Sequence, residues 1–186
     1  MDDQKILALY FSRDEQAVLE TARKYGSYCY SIADNILHSA QDAEETVNDT
    51  YLQTWNAIPP KHPDVFKLFL AKITRNLAFT RWRKECAGKR GGGEMDLVLE
   101  ELSECLASPG AVDDGLSVKE LEMTIRAFLS QLPQKERNLF LRRYFYVEDC
   151  EKIAARYGMK RGTVSSTLFR TREKLRNHLK KEGYAL

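Results

Sequence analysis

Apolar residues recur at steps of three and four along most of the chain, which is the spacing of one face of an α-helix. The longest such stripe begins at Val18 and ends at Ile36, and it passes through Tyr25 and Cys29. No stretch alternates apolar and polar residues in the way that half-exposed strands do. The pattern therefore predicts an all-α protein.

Two more helices are predicted in the first half of the chain. Asp42 is expected to cap the first of them, with Glu45 completing a capping box, and its apolar stripe passes through Val47. Three prolines within residues 59–63 end this helix, because proline cannot continue the backbone hydrogen bonding. The next helix is expected from about Asp64, with buried positions at Phe66, Phe69 or Leu70, Ile73 and Leu77.

A glycine-rich and acidic middle segment separates two groups of predicted helices. The run Gly91-Gly92-Gly93 interrupts regular structure, because glycine loses the most backbone freedom on ordering. The acidic segment that contains this run has helical spacing only from Val98 to Cys105. We therefore predict two small helical domains, residues 1–87 and 116–186, joined by a flexible acidic linker over residues 88–115.

The second half of the chain has the proportions of a helix-turn-helix. Ser117 and Glu120 are expected to form a capping box at the start of one helix, and another helix follows Pro133. A short helix then ends at Gly158, a residue suited to a left-handed cap, and the last helix runs from about residue 163 to residue 181.

The residue types around this turn favour DNA binding over a plain helical hairpin, which is the alternative. Small Ala154 lets the two helices approach, and Ile153 with Val164 supplies the contact between them. The helix after the turn is rich in residues that form hydrogen bonds to base edges and phosphates. These are Ser165, Ser166, Thr167, Arg170, Arg172, Lys174 and Arg176.

The net charge of +2 conceals strong local charge. Residues 1–66 hold 5 basic and 11 acidic side chains, whereas residues 67–90 hold 8 basic and 1 acidic. Residues 94–122 hold 1 basic and 9 acidic, and residues 134–186 hold 14 basic and 6 acidic. Two basic blocks separated by an acidic one favour two surfaces for a polyanion, although solvated helix faces would show the same pattern.

The basic second half resembles a known family. LPQKERNLFLRRY at residues 132–144, Ile153-Ala154 and GTVSSTLFRTREKL at residues 162–175 resemble region four of the bacterial sigma factors of the extracytoplasmic-function type. That region binds the upstream, −35-type promoter element. The resemblance implies DNA contacts from Ser165, Ser166, Thr167, Phe169 and Arg170, and Arg172 is a further candidate.

The first half resembles region two of the same family. DAEETVNDTYLQTW at residues 42–55 is similar to the acidic helix that docks on core RNA polymerase. The resemblance implies polar contacts from Glu45, Asn48 and Asp49, around an anchor of Val47 and Leu52. Without the family, an acidic face of this kind is compatible with a merely solvated one.

FLAKITRNLAFTRWRK at residues 69–84 is similar to the helix that opens and recognises the −10-type element. Basic residues can hold the backbone while aromatic faces receive a base that leaves the stack. The resemblance implies that Asn76 and the loop from Pro60 to Pro63 form the pocket for this base. Trp82 is a DNA-contact candidate, but Trp82 and Phe79 are equally compatible with the core. The phosphate candidates are Arg75, Arg81, Arg83 and Lys84.

The resemblance predicts a sigma factor with core RNA polymerase, promoter DNA and an anti-sigma factor as partners. It also implies that the acidic linker passes through the polymerase channel used by nascent RNA. We expect no catalytic residues, cofactor or metal, since no nucleophile triad or phosphate-binding glycine loop is present. Two alternatives remain: a conventional DNA-binding regulator, and a nucleic-acid-processing enzyme with a metal held by the carboxylates of residues 42–49.

Cysteine usage and hydropathy indicate the compartment. The four cysteines stand singly, without the paired spacing of a metal site, so they are expected to be reduced thiols. No run approaches the roughly eighteen apolar residues of a membrane-spanning helix, and the N-terminus does not resemble a secretory signal. We therefore expect a cytoplasmic protein without membrane insertion.

Overall fold

The computed structural model describes the backbone of residues 1–86, 94–106 and 115–184, and the side chains of these residues except 85, 86, 94, 96, 104–106 and 115–119. The described residues form nine α-helices and no strand, which confirms the all-α prediction. The chain divides into two compact units, Met1–Gly91 and Gly92–Leu186. The helices are α1 (Asp3–Phe11), α2 (Gln16–Leu37), α3 (Ala40–Ala57), α4 (Phe66–Cys86), α5 (Glu94–Leu106), α6 (Gly115–Gln131), α7 (Gln134–Tyr144), α8 (Cys150–Tyr157) and α9 (Arg161–Lys181).

The first unit is built on α2, α3 and α4, which pack against one another, with α1 against α2. The predicted stripe of α2 is confirmed, because Tyr25, Cys29, Ile32 and Ile36 are all buried. The sequence pattern did not identify α1 as a separate helix. It is only nine residues long, but it buries Tyr10 against the rings of Trp55 and Phe66.

The N-terminus of α3 differs from the prediction. The helix begins at Ala40, and the capping side chain is Ser39, whose hydroxyl accepts a hydrogen bond from the backbone amide of Asp42. Asp42 thus lies in the first turn, where its negative charge is favourable next to the helix dipole. The predicted capping box between Asp42 and Glu45 was wrong, because Glu45 makes an ion pair with α4 instead.

The buried face of α4 is more polar than predicted. Phe66 and Leu70 are buried as expected, but Ile73 and Leu77 are only half-buried. Thr74 and Ala78 are fully buried on the inward side. The hydroxyl oxygens of Thr50 on α3 and Thr74 lie 3.1 Å apart, and Thr74 donates to the carbonyl of Leu70. The single hydroxyl proton of Thr50 lies within reach of both Thr74 and the carbonyl of Thr46. Small threonine side chains that satisfy one another let α3 and α4 approach closely.

The second unit contains the helix-turn-helix that the sequence predicted. Gly158 ends α8 with φ of 61°, in the left-handed region that glycine adopts without strain. Ile153 and Val164 are both fully buried, as expected for the contact between α8 and α9. Leu168, Leu175 and Leu179 continue the buried stripe of α9. The predicted capping box at Ser117 lies outside the described side chains.

The acidic middle segment contributes a helix to the second unit. Within the segment predicted as a linker, α5 packs against α9. Met95 and Val98 are almost completely buried, while Leu97 and Leu99 are exposed. The helical spacing seen from Val98 therefore corresponds to a packed amphipathic helix, because its apolar stripe lies against a neighbour.

Candidate nucleic-acid and protein interfaces

The acidic face of α3 displays four of the residues predicted to bind polymerase. Asn48 and Asp49 follow Glu45 by three and four residues and precede Leu52 by four and three, so the four lie on one side of the helix. The side chain of Glu45 is 57% exposed, and Leu52 exposes 59% of its surface. An exposed leucine on the same face as Glu45 and Asp49 can bind a basic surface that carries an apolar pocket.

Val47, the other residue of the predicted anchor, is buried, whereas Leu52 is exposed. The side chain of Val47 is buried towards α2, and it forms the floor of a groove of about 490 Å³ between α2 and α3. Tyr30 and Tyr51 also line this groove, and Asn48 borders it. Leu52 is therefore the outward apolar residue of the acidic face, whereas Val47 lines the groove.

Arg81 connects the two surfaces that the sequence assigned to separate partners. Its Nη2 lies 2.6 Å from Oε1 of Glu45, and its Nη1 donates to the backbone carbonyl of Asp42 at 3.1 Å. Burial on its own lowers the pKa of Arg81, but the hydrogen bond that its guanidinium donates to Glu45 and the charge of the neighbouring acids raise it overall. The guanidinium of Arg81 is thus directed at α3.

The other basic and polar residues of α4 divide into exposed and packed groups. Asn76, Arg83 and Lys84 are exposed and available to a ligand. Arg75 lies over the ring of Phe79 at 4.4 Å, and burial lowers the pKa of its guanidinium. Trp82 and Phe79 are half-buried.

Thr80 lies on the exposed side of α4, next to the candidate base pocket. Its hydroxyl donates to the carbonyl of Asn76 at 2.9 Å, one turn earlier in the helix. This hydrogen bond uses a backbone acceptor, so it leaves the side chain of Asn76 available to a ligand.

The outward face of α9 carries most of the residues predicted to bind the upstream element. Ser165, Ser166, Phe169 and Arg170 are exposed, and Phe169 exposes 55% of its surface. Thr167 is half-buried, and its hydroxyl donates to the carbonyl of Thr163 at 2.7 Å. This face offers hydroxyls, an aromatic ring and a guanidinium in adjacent turns of one helix.

Arg172 is oriented differently from these residues. Its side chain is only 12% exposed, and its Nη1 donates to the hydroxyl of Tyr144 at 2.8 Å and to Oε2 of Glu101 at 3.2 Å. The structure therefore places Arg172 in a side-chain cluster within the second unit, behind the exposed face of α9.

A groove of about 570 Å³ between α7 and α9 adds one cation, Lys135, that the sequence analysis did not select. Arg170, Lys135 and Lys174 line its rim, and Leu139 and Met159 lie among the residues that line it. Lys135 belongs to the first turn of α7, so its position next to α9 depends on tertiary packing. Its charge was the only signal in the sequence.

The acids of residues 42–49 do not converge on one point. They lie along a single helix, and no group of three metal-ligating side chains is found within the described part of the chain. Among the residues that were described, no helix is long and apolar enough to span a membrane.

Comparison with known proteins assigns both units to one family. The family described as Sigma-70 region 2 matches residues 21–86, and the family described as Sigma-70, region 4 matches residues 128–177. Together the two matches cover more than half of the chain and follow the same order along it as the two compact units.

Curated relatives resemble the chain over most of its length. An ECF RNA polymerase sigma factor, SigE of Mycolicibacterium smegmatis, is 25% identical over 186 residues, which cover 98% of this chain and 70% of that protein. SigW of Bacillus subtilis, also an ECF RNA polymerase sigma factor, is 24% identical over 177 residues, 90% of this chain and 91% of that protein. The RNA polymerase sigma-H factor of Pseudomonas aeruginosa is 25% identical over 178 residues, 92% of this chain and 90% of that protein.

Two helical units with exposed basic helices, one of them a helix-turn-helix, define a DNA-binding protein of the transcription machinery. The chain belongs to the sigma-70 family, as a sigma factor of the extracytoplasmic-function type that directs promoter-specific transcription initiation.

Proposed function

We propose that the acidic face of α3 docks on core RNA polymerase while α4 and α9 hold the promoter DNA. The observation that carries this division is the separation of charge by helix. Carboxylates and Leu52 are exposed on α3, whereas the exposed charges of α4 and α9 that surround the candidate DNA contacts are mostly cationic. Cations attract the phosphate backbone and carboxylates repel it, so the two kinds of partner are directed to different surfaces.

In the first unit, α4 is proposed to receive the opened −10-type element. Arg83 and Lys84 are exposed and would contact phosphates, and Asn76 would face the extruded base together with the loop from Pro60 to Pro63. Trp82 is half-buried and would offer a ring face for stacking. Arg75 and Arg81 would support this surface from within, since each already packs on a neighbouring side chain.

In the second unit, α9 is proposed to enter the major groove of the −35-type element. Ser165, Ser166 and Arg170 would form hydrogen bonds to bases and phosphates, and Phe169 would supply an apolar contact. Thr167 borders this face. Lys135 and Lys174 on the rim of the neighbouring groove would add phosphate contacts.

The functional division proposed for the chain is residues 1–87 for polymerase docking and the −10-type element, residues 88–115 as acidic linker, and residues 116–186 for the −35-type element. Because α5 packs within the second unit, only part of residues 88–115 is proposed to span the distance between the −10-type and −35-type elements. An anti-sigma factor is proposed as a further partner. Catalysis would be supplied by the polymerase, and the site of action would be the cytoplasm.

Transcription with purified core polymerase tests the proposal. The chain and the core enzyme would be incubated with fragmented genomic DNA, and the 5′ ends of the transcripts would be mapped. We expect transcripts that start at discrete sites and share two sequence elements upstream, and none from core enzyme alone. A conventional regulator would instead bind duplex DNA stably by itself and form no stoichiometric complex with core polymerase.

A further inference from the structure

The acidic helix α5 presents a carboxylate to the interior of the second unit. Met95 and Val98 are buried, and Glu101 follows at the next step of three on the same side. The preceding residue, Glu100, is exposed. The helix therefore has one acid directed inwards and a neighbouring acid directed to solvent, which offers a matched pair for experiment.

The carboxylate of Glu101 accepts hydrogen bonds from three side chains on two other helices. Nη2 of Arg143 donates to Oε1 at 2.7 Å and its Nε donates to Oε2 at 3.3 Å, so this arginine binds in the two-pronged mode. The hydroxyl of Tyr144 donates to Oε2 at 2.7 Å, and Nη1 of Arg172 donates to the same oxygen at 3.2 Å. Burial alone raises the pKa of Glu101, but these donors outweigh it and lower the pKa overall.

Two arginines in this cluster are far from solvent. The side chain of Arg143 is 3% exposed, and that of Arg172 is 12% exposed. A guanidinium removed from water needs acceptors for its hydrogen bonds and a counter-charge, and loss of an acceptor is costly. Glu101 supplies both to the pair.

Arg172 connects this cluster to the DNA-facing side of α9. Its guanidinium lies 5.8 Å from the ring of Phe169, which belongs to the exposed face. Arg170, on that exposed face, is two residues away along the same helix. The contacts of Arg172 with Tyr144 and Glu101 thus restrain the rotation of α9 about its own axis, and with it the direction of the exposed residues.

We infer that Glu101 is a positioning residue for promoter recognition, which acts through Arg172 to hold α9 in the orientation that reads DNA. Arg172 on this account serves inside the second unit and makes no phosphate contact. The acidic segment then contributes to the specificity of the second unit. The inference rests on the proposed function, because it assumes that α9 reads the upstream element.

The test compares four variants, Glu101→Gln, Glu100→Gln, Arg172→Gln and Arg170→Gln, in the full chain bound to core polymerase. The probe is a duplex fragment carrying only the upstream element, chosen from a randomised pool by the wild-type holoenzyme. We expect Glu101→Gln to weaken binding about tenfold, because two buried guanidiniums lose part of their acceptor set. Glu100→Gln, which removes the same charge from the exposed side, should bind like wild type.

The salt dependence separates a positioning residue from a phosphate contact. Removal of one phosphate contact reduces the slope of log K against log salt by about 0.9. Arg170→Gln should show this reduction, whereas Arg172→Gln and Glu101→Gln should weaken binding with the slope unchanged. The double variant Glu101→Gln/Arg172→Gln should weaken binding less than the two single effects combined, because both remove the same interaction.

Arg172→Lys keeps the inference testable if Glu101→Gln does not fold, as judged by circular dichroism at the assay temperature. Lysine preserves a positive charge for a phosphate but not the forked geometry of the cluster. Weaker binding with an unchanged slope supports the inference. Wild-type affinity for folded Glu101→Gln, or a reduced slope for Arg172→Gln, overturns it. If Arg170→Gln leaves both affinity and slope unchanged, the proposed role of α9 itself is wrong.

Discussion

Oε1 of Glu45 and Nη2 of Arg81 lie 2.6 Å apart, and this ion pair joins the acidic face of α3 to the basic helix α4. The two residues are 36 positions apart in the chain, and the sequence analysis assigned them to different partners. In the folded protein, a residue proposed to dock on polymerase holds a residue of the helix proposed to bind promoter DNA. The two surfaces of the first unit are therefore connected by a direct side-chain contact.

The energetic value of this contact can be measured with a double-mutant cycle of Glu45→Gln and Arg81→Gln. Glu45 is largely exposed, so the coupling is expected to be only about 0.5–1 kcal/mol of unfolding free energy. Both tryptophans, Trp55 and Trp82, lie in the first unit, so urea unfolding followed by tryptophan fluorescence reports on it. Lys84→Gln on the same helix is the control for loss of a positive charge. Strictly additive effects of the two substitutions would show that the pair contributes nothing.

Reversal of charge on the acidic face should abolish polymerase binding without unfolding the protein. Glu45→Lys with Asp49→Lys replaces two carboxylates of the proposed docking surface, and like charges on a desolvated interface oppose association strongly. Co-purification with core polymerase measures the effect. Glu15→Lys with Asp64→Lys makes the same change of net charge at exposed positions away from α3, and it should retain binding. Retained binding by the first variant would remove this face from the docking surface.

Two glycines, one at the end of α8 and one in the first turn of α9, should respond oppositely to substitution by alanine. Gly158 has φ of 61°, and nothing lies within 4 Å of an added Cβ, so Gly158→Ala should cost about 1–2 kcal/mol from backbone strain alone. Gly162 lies in the first turn of α9 without a positive φ and also has open space, so Gly162→Ala should stabilise by about 0.4–1 kcal/mol. Thermal unfolding followed by circular dichroism compares them. Equal effects of the two substitutions would contradict the assigned turn geometry.

The stabilising effect of Glu101 should depend on pH. Its pKa is lower in the folded protein than the ordinary value of 4.5, so its contribution is fully present above that value and is lost as the pH falls through the folded pKa. Amide hydrogen exchange in α7 and α9 reports the stability of the second unit. The difference in protection between wild type and Glu101→Gln should be constant near neutral pH and should shrink below pH 4.5. A difference that persists undiminished in acid would assign the effect to packing instead of charge.

Local sequence patterns predicted most of the helices and the helix-turn-helix. A buried stripe such as that of α2 repeats within one element, so neighbouring residues are sufficient to reveal it. Gly158 was identifiable for the same reason, because a left-handed cap is a property of one residue and its immediate neighbours. The candidate residues of α9 were selected by their polar and basic types and by the resemblance to the sigma factor family, and those on the acidic face of α3 by the resemblance.

Several features could not be predicted from the sequence, because they depend on residues far apart in the chain. Thr74 is buried next to Thr50 of another helix, whose hydroxyl lies 3.1 Å from its own, and a threonine in isolation gives no indication of such a neighbour. The sequence analysis placed the cap of α3 at Asp42, whereas the folded backbone places it at Ser39. Lys135 came next to α9 only through the packing of α7 against it.

The sequence by itself determined the helical class, the turn at Gly158, and the motifs that identify a sigma factor, because each of these is encoded over a few consecutive turns of chain. The tertiary structure alone decided which charged side chains are exposed and which are held against the protein. Arg81 and Arg172 have the same side chain as Arg83 and Arg170, yet the first two are held by Glu45 and Glu101, and the last two are exposed. The charge of a side chain is set by its residue type, but whether that charge is free for a partner depends on its neighbours in the fold. These neighbours can be far away in the sequence, as Glu101 and Arg172 are, at 71 positions apart.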